Sequence, residues 1–416
     1  MKQRLFIVIS FVFLGILCIH LIVGRKKIVT ANDVQRPIAI PASRSNSNEF
    51  STQNETMKTA HSKTTTDHTT TQVQTTNTSE PNPICIAKQN NIVFLKVHKC
   101  GSSTVANILQ RYTYNNALNA LLPDKDPTEQ SYWVLNRLKE QYMSQIIPIP
   151  EGESYNTMFV HSVHDHDIFK RLFPNNSYYV AILRDPVERF ISYTFYYQLV
   201  AKMKEDYPQS EDNPYIFSKA LLKKPFPYGV LGPSYDLGFL PRGKVNKTEV
   251  DRFIDNIDKD YDFVMIMEYF DESLVYLRHQ LCWDIKDILY IKRNVNFEKR
   301  GYALSQKDRQ MIKAIQPVDV PLYDYFYKQF WNILKRQHVS FFEEVYNFKK
   351  ILSGVADYCN FGRKLKPEVL FAKTQWHDAF SVTSEDCSKM KWSEGHAITI
   401  LAKKAREKYK NSKMKN

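Results

Sequence analysis

Apolar positions along the chain gather into a few compact runs, and their spacing separates strands from helices. Asn91–Val97 and Tyr178–Leu183 are short, almost unbroken and rich in β-branched or aromatic residues, the pattern of buried parallel strands. Val264–Met267 reads the same way. After the first run, Val105, Ile108 and Leu109 mark one helical face. After the second, Val187, Phe190, Ile191, Thr194 and Phe195 fall at helical spacing and should meet a core, leaving Arg189, Ser192 and Tyr196 off the stripe. Asp271–Leu281 and the aromatic-rich stretch Leu322–Leu334 read as further helices. Strands that each lead through a tight loop into a helix predict an α/β fold, with a central, mostly parallel sheet flanked by helices.

The N-terminal pattern differs. Leu5–Val23 is apolar apart from Ser10, Gly15, Cys18 and His20, close to the roughly 20 residues that span a bilayer. It runs directly into Arg25, Lys26 and Lys27 with no small-residue cleavage site, so an uncleaved signal anchor is expected in preference to a cleaved signal peptide. Flanking charges (Lys2 and Arg4 against Arg25, Lys26 and Lys27) do not decide its orientation. Four N-x-[ST] acceptors, at Asn54, Asn77, Asn175 and Asn246, all follow the run and favour a lumenal C-terminal body. Between the anchor and Pro83, Thr, Ser, Asn and Gln dominate, too few large apolar residues to offset ordering entropy. The expected organisation is a cytoplasmic tail (1–4), a transmembrane signal anchor (5–23), a disordered Ser/Thr-rich stalk (24–83) and one lumenal domain (84–416).

Composition narrows the partners. The 416 residues are 43% hydrophobic, which excludes a wholly disordered chain, and carry a net charge of +13 from 57 Lys+Arg against 44 Asp+Glu. That excess points to an anionic partner: nucleic acid, a membrane surface, or a phosphorylated or sulfated small molecule. Much of it sits in a C-terminal cluster from Lys403 to Lys415, expected as a solvated helix face or a fraying end. No nucleic-acid-binding motif is present. Six Cys contain no C-x-x-C pair, so a structural metal is not expected.

The loop after the first strand run is His98-Lys99-Cys100-Gly101-Ser102-Ser103-Thr104. Between a strand and a helix, such a loop gathers backbone N–H groups and the positive end of the helix dipole around one point. Lys99 adds charge, three hydroxyls add donors, and Gly101 lets the backbone approach an oxyanion closely. Lys99 precedes the glycine, unlike the order in a Walker A loop. A Ser-capped helix is the alternative reading. The second run ends at Arg184, where open α/β sheets bind ligands, and its guanidinium suits a phosphate bidentately; a structural Arg–carboxylate pair is the alternative. Asp185 and Pro186 suit a helix cap and first turn.

Four segments together, Phe94 to Thr104, Arg184 to Pro186 with Ser192, Tyr235 to Phe239, and Phe263 to Val275, closely resemble the galactose-3-O-sulfotransferase family. The resemblance runs from about Ile92 to about Phe342. It implies a P-loop-like sulfotransferase fold, a Golgi location as a single-pass type II membrane protein, and 3′-phosphoadenosine 5′-phosphosulfate as donor. By it, Lys99, Cys100, Gly101, Ser102, Ser103 and Thr104 hold the 5′-phosphosulfate, and Arg184 and Ser192 the 3′-phosphate. Lys99 also neutralises the bridging oxygen, His98 is the favoured base, and His161 is the runner-up or an acceptor ligand; each His also has a structural alternative. Cys100 departs from the Thr usual in relatives, and weaker donor binding is expected. In an oxidising lumen, Cys85, Cys282, Cys359 and Cys387 allow two disulfides in three connectivities. The acceptor implied is a galactose-terminated glycolipid or glycan. Pro225–Phe239, rich in Gly, Pro and aromatics, is expected to wall the acceptor cleft without regular structure, with a surface loop packed on its own aromatics as the alternative. A sulfotransferase with another acceptor and a non-enzymatic mucin-stalked glycoprotein are the rivals.

Overall fold

The computed structural model describes residues 85, 87–125, 134–137, 140–197, 232–240, 244–292, 304–362 and 366–414, all within the compact unit Thr75–Asn416. Its strands are β1 (Ile92–Phe94), β2 (Val134–Arg137), β3 (Thr157–Met158), β4 (His161–Val163), β5 (Tyr178–Leu183), β6 (Phe263–Ile266), β7 (Glu368–Phe371) and β8 (Phe380–Thr383). Helices α1 (Ser102–Asn115), α2 (His166–Leu172), α3 (Pro186–Tyr196), the single turn α4 (Pro233–Asp236) and α5 (Lys247–Asp260) lie between β1 and β6. Helices α6 (Phe270–Leu281), α7 (Gln306–Ala314), α8 (Asp319–Lys335), α9 (Val339–Asn360), α10 (Ser384–Met390) and α11 (Glu394–Lys413) follow.

The central sheet has the order β3-β1-β5-β6, and every neighbouring pair is parallel. All of β1 and β6, and β5 from Tyr179 onward, are buried, which is why these strands read as continuous apolar runs: helices cover both faces. From β1 the sheet continues outward to β3, and from β5 in the opposite direction to β6. The winding therefore reverses between β1 and β5, and a ligand crevice belongs at their carboxyl ends. The loops that start at His98 and Arg184 leave from that edge.

Local signals explain most element boundaries. Asp185 caps α3, its Oδ1 accepting from the N–H groups of Val187 and Glu188 at 2.9 and 3.0 Å, with Pro186 in the first turn. Asn246 caps α5 in a reciprocal box with Glu249. Disulfides join Cys85 to Cys282 and Cys359 to Cys387, one of the three open pairings; Cys100 is free and buried.

Several expectations need correction. The fold is mixed α/β with a parallel sheet, and where a single transmembrane helix was expected before it, no helix among the described residues is long and apolar enough to cross a membrane. The 5–23 run and the 24–83 stalk lie outside the described residues. Arg189, off the apolar stripe of α3, is nevertheless fully buried and donates to Gln316 Oε1 at 3.1 Å, while the stripe residues Val187 and Phe190 pack on Ile312 of α7. Of Pro225–Phe239, residues 225–231 are outside the described set, and Pro233–Asp236 forms a helical turn. The basic C-terminal stretch is, as one of the two expected readings had it, a solvated helix face: Lys403, Lys404, Lys408, Lys410 and Lys413 are exposed, while Ala397, Ile398, Leu401 and Ala402 earlier in the same helix are buried.

Candidate active site

Beyond Phe94 the chain stays buried through Val97, with the Leu95 N–H donating to Val180 O at 2.9 Å, and then turns sharply. Lys99 and Gly101 take left-handed backbone conformations, with φ of 63° and 79°. At Gly101 the left-handed φ favours glycine, and a Cβ would lie 2.2 Å from Met267 Sδ, so the end of that side chain would have to shift. Helix α1 begins with no side-chain cap and no acidic residue in its first turn. An uncapped helix N-terminus of this length leaves N–H donors and a positive dipole end facing the crevice.

The expected residues do not all point there. Ser102 is buried and spends its hydroxyl on Val97 O at 2.6 Å, fastening the loop to the strand end. The Cys100 thiol is fully buried, donates toward His98 O at 3.6 Å, and is pushed up to about 12 by burial; it is a packed core group, so a hydroxyl lost from the crevice is not its consequence. Ser103 is exposed and Thr104 half-buried. With Asn107, Gln110, Tyr196, Trp392 and Glu394, Ser103 lines a cavity of about 530 Å³. The Lys99 ammonium sits 3.5 Å from the centre of the Tyr196 ring, a cation–π contact from a helix position that periodicity marked only as off-core. Arg184 and Ser192 are half-buried, and Arg184 Nη2 lies 4.0 Å from Glu188 Oε2, at the edge of ion-pair range. Behind it, Glu268 accepts from the Asp185 N–H at 3.0 Å and from the Tyr323 hydroxyl at 3.2 Å, tying the second loop to β6 and α8.

The two histidines meet. The His98 and His161 rings stack with centroids 3.9 Å apart and planes 19° from parallel. His161 Nδ1 lies 2.8 Å from the Lys96 carbonyl, which can only accept, so Nδ1 carries the proton and Nε2 a lone pair. Burial, then the charges of Lys96 and His98, holds its pKa far below the imidazole range, and His161 is neutral. Lys96 itself is buried against Glu394 at 2.5 Å; burial pulls its pKa down, opposed by Glu394.

Sequence periodicity did not single out Asp236. It is 2% exposed and lies 2.8 Å (Oδ1) and 3.0 Å (Oδ2) from His98 Nδ1. Oδ2 also accepts the His98 backbone N–H at 2.7 Å. A carboxylate bound to Nδ1–H fixes the ring and its tautomer, and leaves Nε2 as the open lone pair on a side chain that is 24% exposed. The available signal was a lone acid in the Tyr235–Phe239 segment. Asp236 is positioned by α4, where Ser234 N–H donates to Asp319 Oδ1 at 2.8 Å, and by Gly232, where a Cβ would sit 1.7 Å from Asp319 Oδ2.

Of the glycan acceptors, Asn175 and Asn246 are exposed. Asn246 caps through Oδ1, leaving Nδ2, the atom a glycan uses, outside the cap. Asn54 and Asn77 lie outside the described residues.

The chain is similar in sequence to known proteins. Mouse galactose-3-O-sulfotransferase 2 is 26% identical over 248 residues, covering 59% of this chain and 62% of the relative. Human galactosylceramide sulfotransferase is 28% identical over 256 residues (58% and 57%), and bovine galactose-3-O-sulfotransferase 3 is 30% identical over 270 residues (61% and 58%). The chain thus spans about 60% of the length of these curated relatives. The family model described as galactose-3-O-sulfotransferase matches residues 47–367, well over half of the chain, and the chain belongs to the galactose-3-O-sulfotransferase family.

Proposed function

We propose that the chain transfers a sulfuryl group from 3′-phosphoadenosine 5′-phosphosulfate to the 3-hydroxyl of a terminal galactose on a glycolipid or glycoprotein glycan. The observation that carries the reading is His98, held by buried Asp236 next to Lys99 and the uncapped start of α1, at the point where the sheet reverses its winding. The residues fit an anionic donor: the left-handed turn at Lys99 and Gly101 brings backbone amides and one ammonium to the same edge as Arg184.

Each residue then has a task. The donor supplies an activated sulfuryl group whose bond to the 5′-phosphate oxygen breaks as the galactose oxygen bonds to sulfur. His98 Nε2 accepts the hydroxyl proton. Asp236 orients the ring and stabilises the imidazolium that forms, as a buried carboxylate does in catalytic triads. Lys99 and the first-turn amides of α1 neutralise the charge that develops on the leaving phosphate. Arg184 and Ser192 hold the 3′-phosphate, and His161, neutral with a free Nε2, packs on the base and accepts a sugar hydroxyl. The disulfides suit an oxidising compartment, and we place the reaction in the Golgi lumen.

Purified full-length protein incubated with the donor and galactosylceramide, or with a galactose-terminated glycan, should give product whose linkage analysis places sulfate on the galactose 3-oxygen. Lys99→Ala and Arg184→Ala should each lower turnover by about a hundredfold or more. Full activity in both variants, or sulfate at another position, would overturn the assignment.

A further inference from the structure

A second group of chemically active side chains lies apart from His98. His164 follows β4, His166 opens α2, and Asp260 ends α5. His164 Nε2 is 2.9 Å from Asp260 Oδ2, and His166 Nδ1 is 2.7 Å from Oδ1. One ligand-capable atom from each residue lies within 4.8 Å of the other two. We propose that His164, His166 and Asp260 form a zinc site.

The donor set is that of a zinc centre with an open position: two imidazoles and one carboxylate, with a water as fourth ligand. Bonds of about 2.0–2.2 Å in a tetrahedron place neighbouring ligand atoms about 3.3–3.5 Å apart, so each imidazole has to open from its carboxylate oxygen by about half an ångström or more while the three ligand atoms, now within 4.8 Å of one another, draw around one centre by side-chain rotation. His166 is half exposed, while His164 and Asp260 are 6% and 13% exposed. The metal would therefore sit with its open side toward solvent and its anchors in the protein.

The outer contacts favour ligation as well. His164 Nδ1 lies 3.2 Å from the hydroxyl of buried Tyr261. A hydroxyl both donates and accepts, so it serves the ring in either tautomer. Without metal, Nε2–H points at Asp260; with metal, the proton moves to Nδ1 and Nε2 binds zinc, with no net change in protonation. Holding the remote ring nitrogen is the usual means of orienting a metal-bound histidine. Two imidazoles favour zinc over magnesium or calcium, which take oxygen ligands.

The position gives the site a structural role. The His164 N–H donates to Asp236 O at 2.8 Å, and a Cβ on Gly238 would lie 2.7 Å from His164 O. Zinc would thus fasten the end of β4 to α5, directly beneath the turn that carries Asp236. The sequence reading expected no metal because it looked for paired cysteines. The ligands here are a His-x-His pair and an aspartate 96 residues from the first of them.

The test uses untagged full-length protein, stripped with a chelator and titrated with zinc against a colorimetric competitor. One zinc per chain is expected, with a higher melting midpoint on loading and no comparable effect of magnesium or calcium. His166→Ala, at a half-exposed side chain, should fold and bind zinc at least about tenfold more weakly, while His377→Ala, at a half-buried histidine elsewhere, should bind as wild type. Absence of stoichiometric zinc in wild type, or unchanged affinity in His166→Ala, overturns the proposal. The readout is metal binding, so it stands or falls separately from sulfotransfer.

Discussion

Asp236→Asn separates the part His98 plays as a base from its part as packing. The carboxylate receives two bonds from His98, one from Nδ1 and one from the backbone N–H. An amide keeps one acceptor oxygen at the same place, so the backbone bond can survive. The other side then presents an NH₂ to a ring nitrogen that was donating, and the ring relieves the clash by moving its proton to Nε2. The base is lost while the shape is kept. General base catalysis contributes about 10²–10⁴-fold, or about 3–5 kcal/mol of barrier at 1.36 kcal/mol per tenfold. Removing one charge-assisted bond from a site with Asp236 2% exposed costs about 1–3 kcal/mol of folding stability. The assay is steady-state sulfation with donor and acceptor varied separately, alongside urea unfolding. A fall in kcat of about a hundredfold or more is expected, with donor KM changed less than about threefold. A kcat within about threefold of wild type, in protein that unfolds as expected, would refute the pairing of Asp236 with a catalytic His98.

Gly101→Ala should destabilise by about 1–3 kcal/mol, because the left-handed φ and the contact with Met267 both resist a Cβ; adding Met267→Ala should restore only part, and full restoration would show that φ does not matter. His161 stays neutral in the fold, whereas an unfolded imidazole titrates near about 6.5. Its folded pKa is depressed, so its contribution is present above that pH and is lost as pH falls, by up to about 1.4 kcal/mol per pH unit. Urea midpoints should drop more steeply from pH 7.5 to 5.5 in wild type than in His161→Gln, and parallel curves would contradict this. The disulfides close segments of 197 and 28 residues, for which loop entropy gives about 5 and about 3.5 kcal/mol. The Cys85/Cys282 double Ala variant should therefore melt lower than the Cys359/Cys387 variant, and the reverse order would count against an entropic origin.

Elements whose signals are local were legible in the sequence. Tyr178–Leu183 is a strand over the expected residues, and Asp185-Pro186 starts α3 as a cap and first turn should. Lys99 and Gly101 were marked by residue type in a strand-loop-helix setting, and they stand where that setting implies. Periodicity placed Arg189 off the apolar stripe but could not show its burial, which comes with Gln316, over a hundred residues later. Cys100 was misread because composition cannot show which way a side chain points, and it points into the core.

The sequence by itself determined what depends on neighbours within a few residues: the three most apolar strands, the start of the helix at Asp185-Pro186, and which loop carries a lysine beside a glycine and hydroxyls. Only the tertiary structure decided what depends on long closure. Asp236 is 138 residues from the histidine it holds, Glu394 is 298 from Lys96, and Asp260 is 96 from His164. Strand and helix propensities are set by backbone and nearest side chains, whereas a buried charge acquires its partner only when the packed core brings distant segments within about 3 Å and excludes the water that would otherwise solvate both.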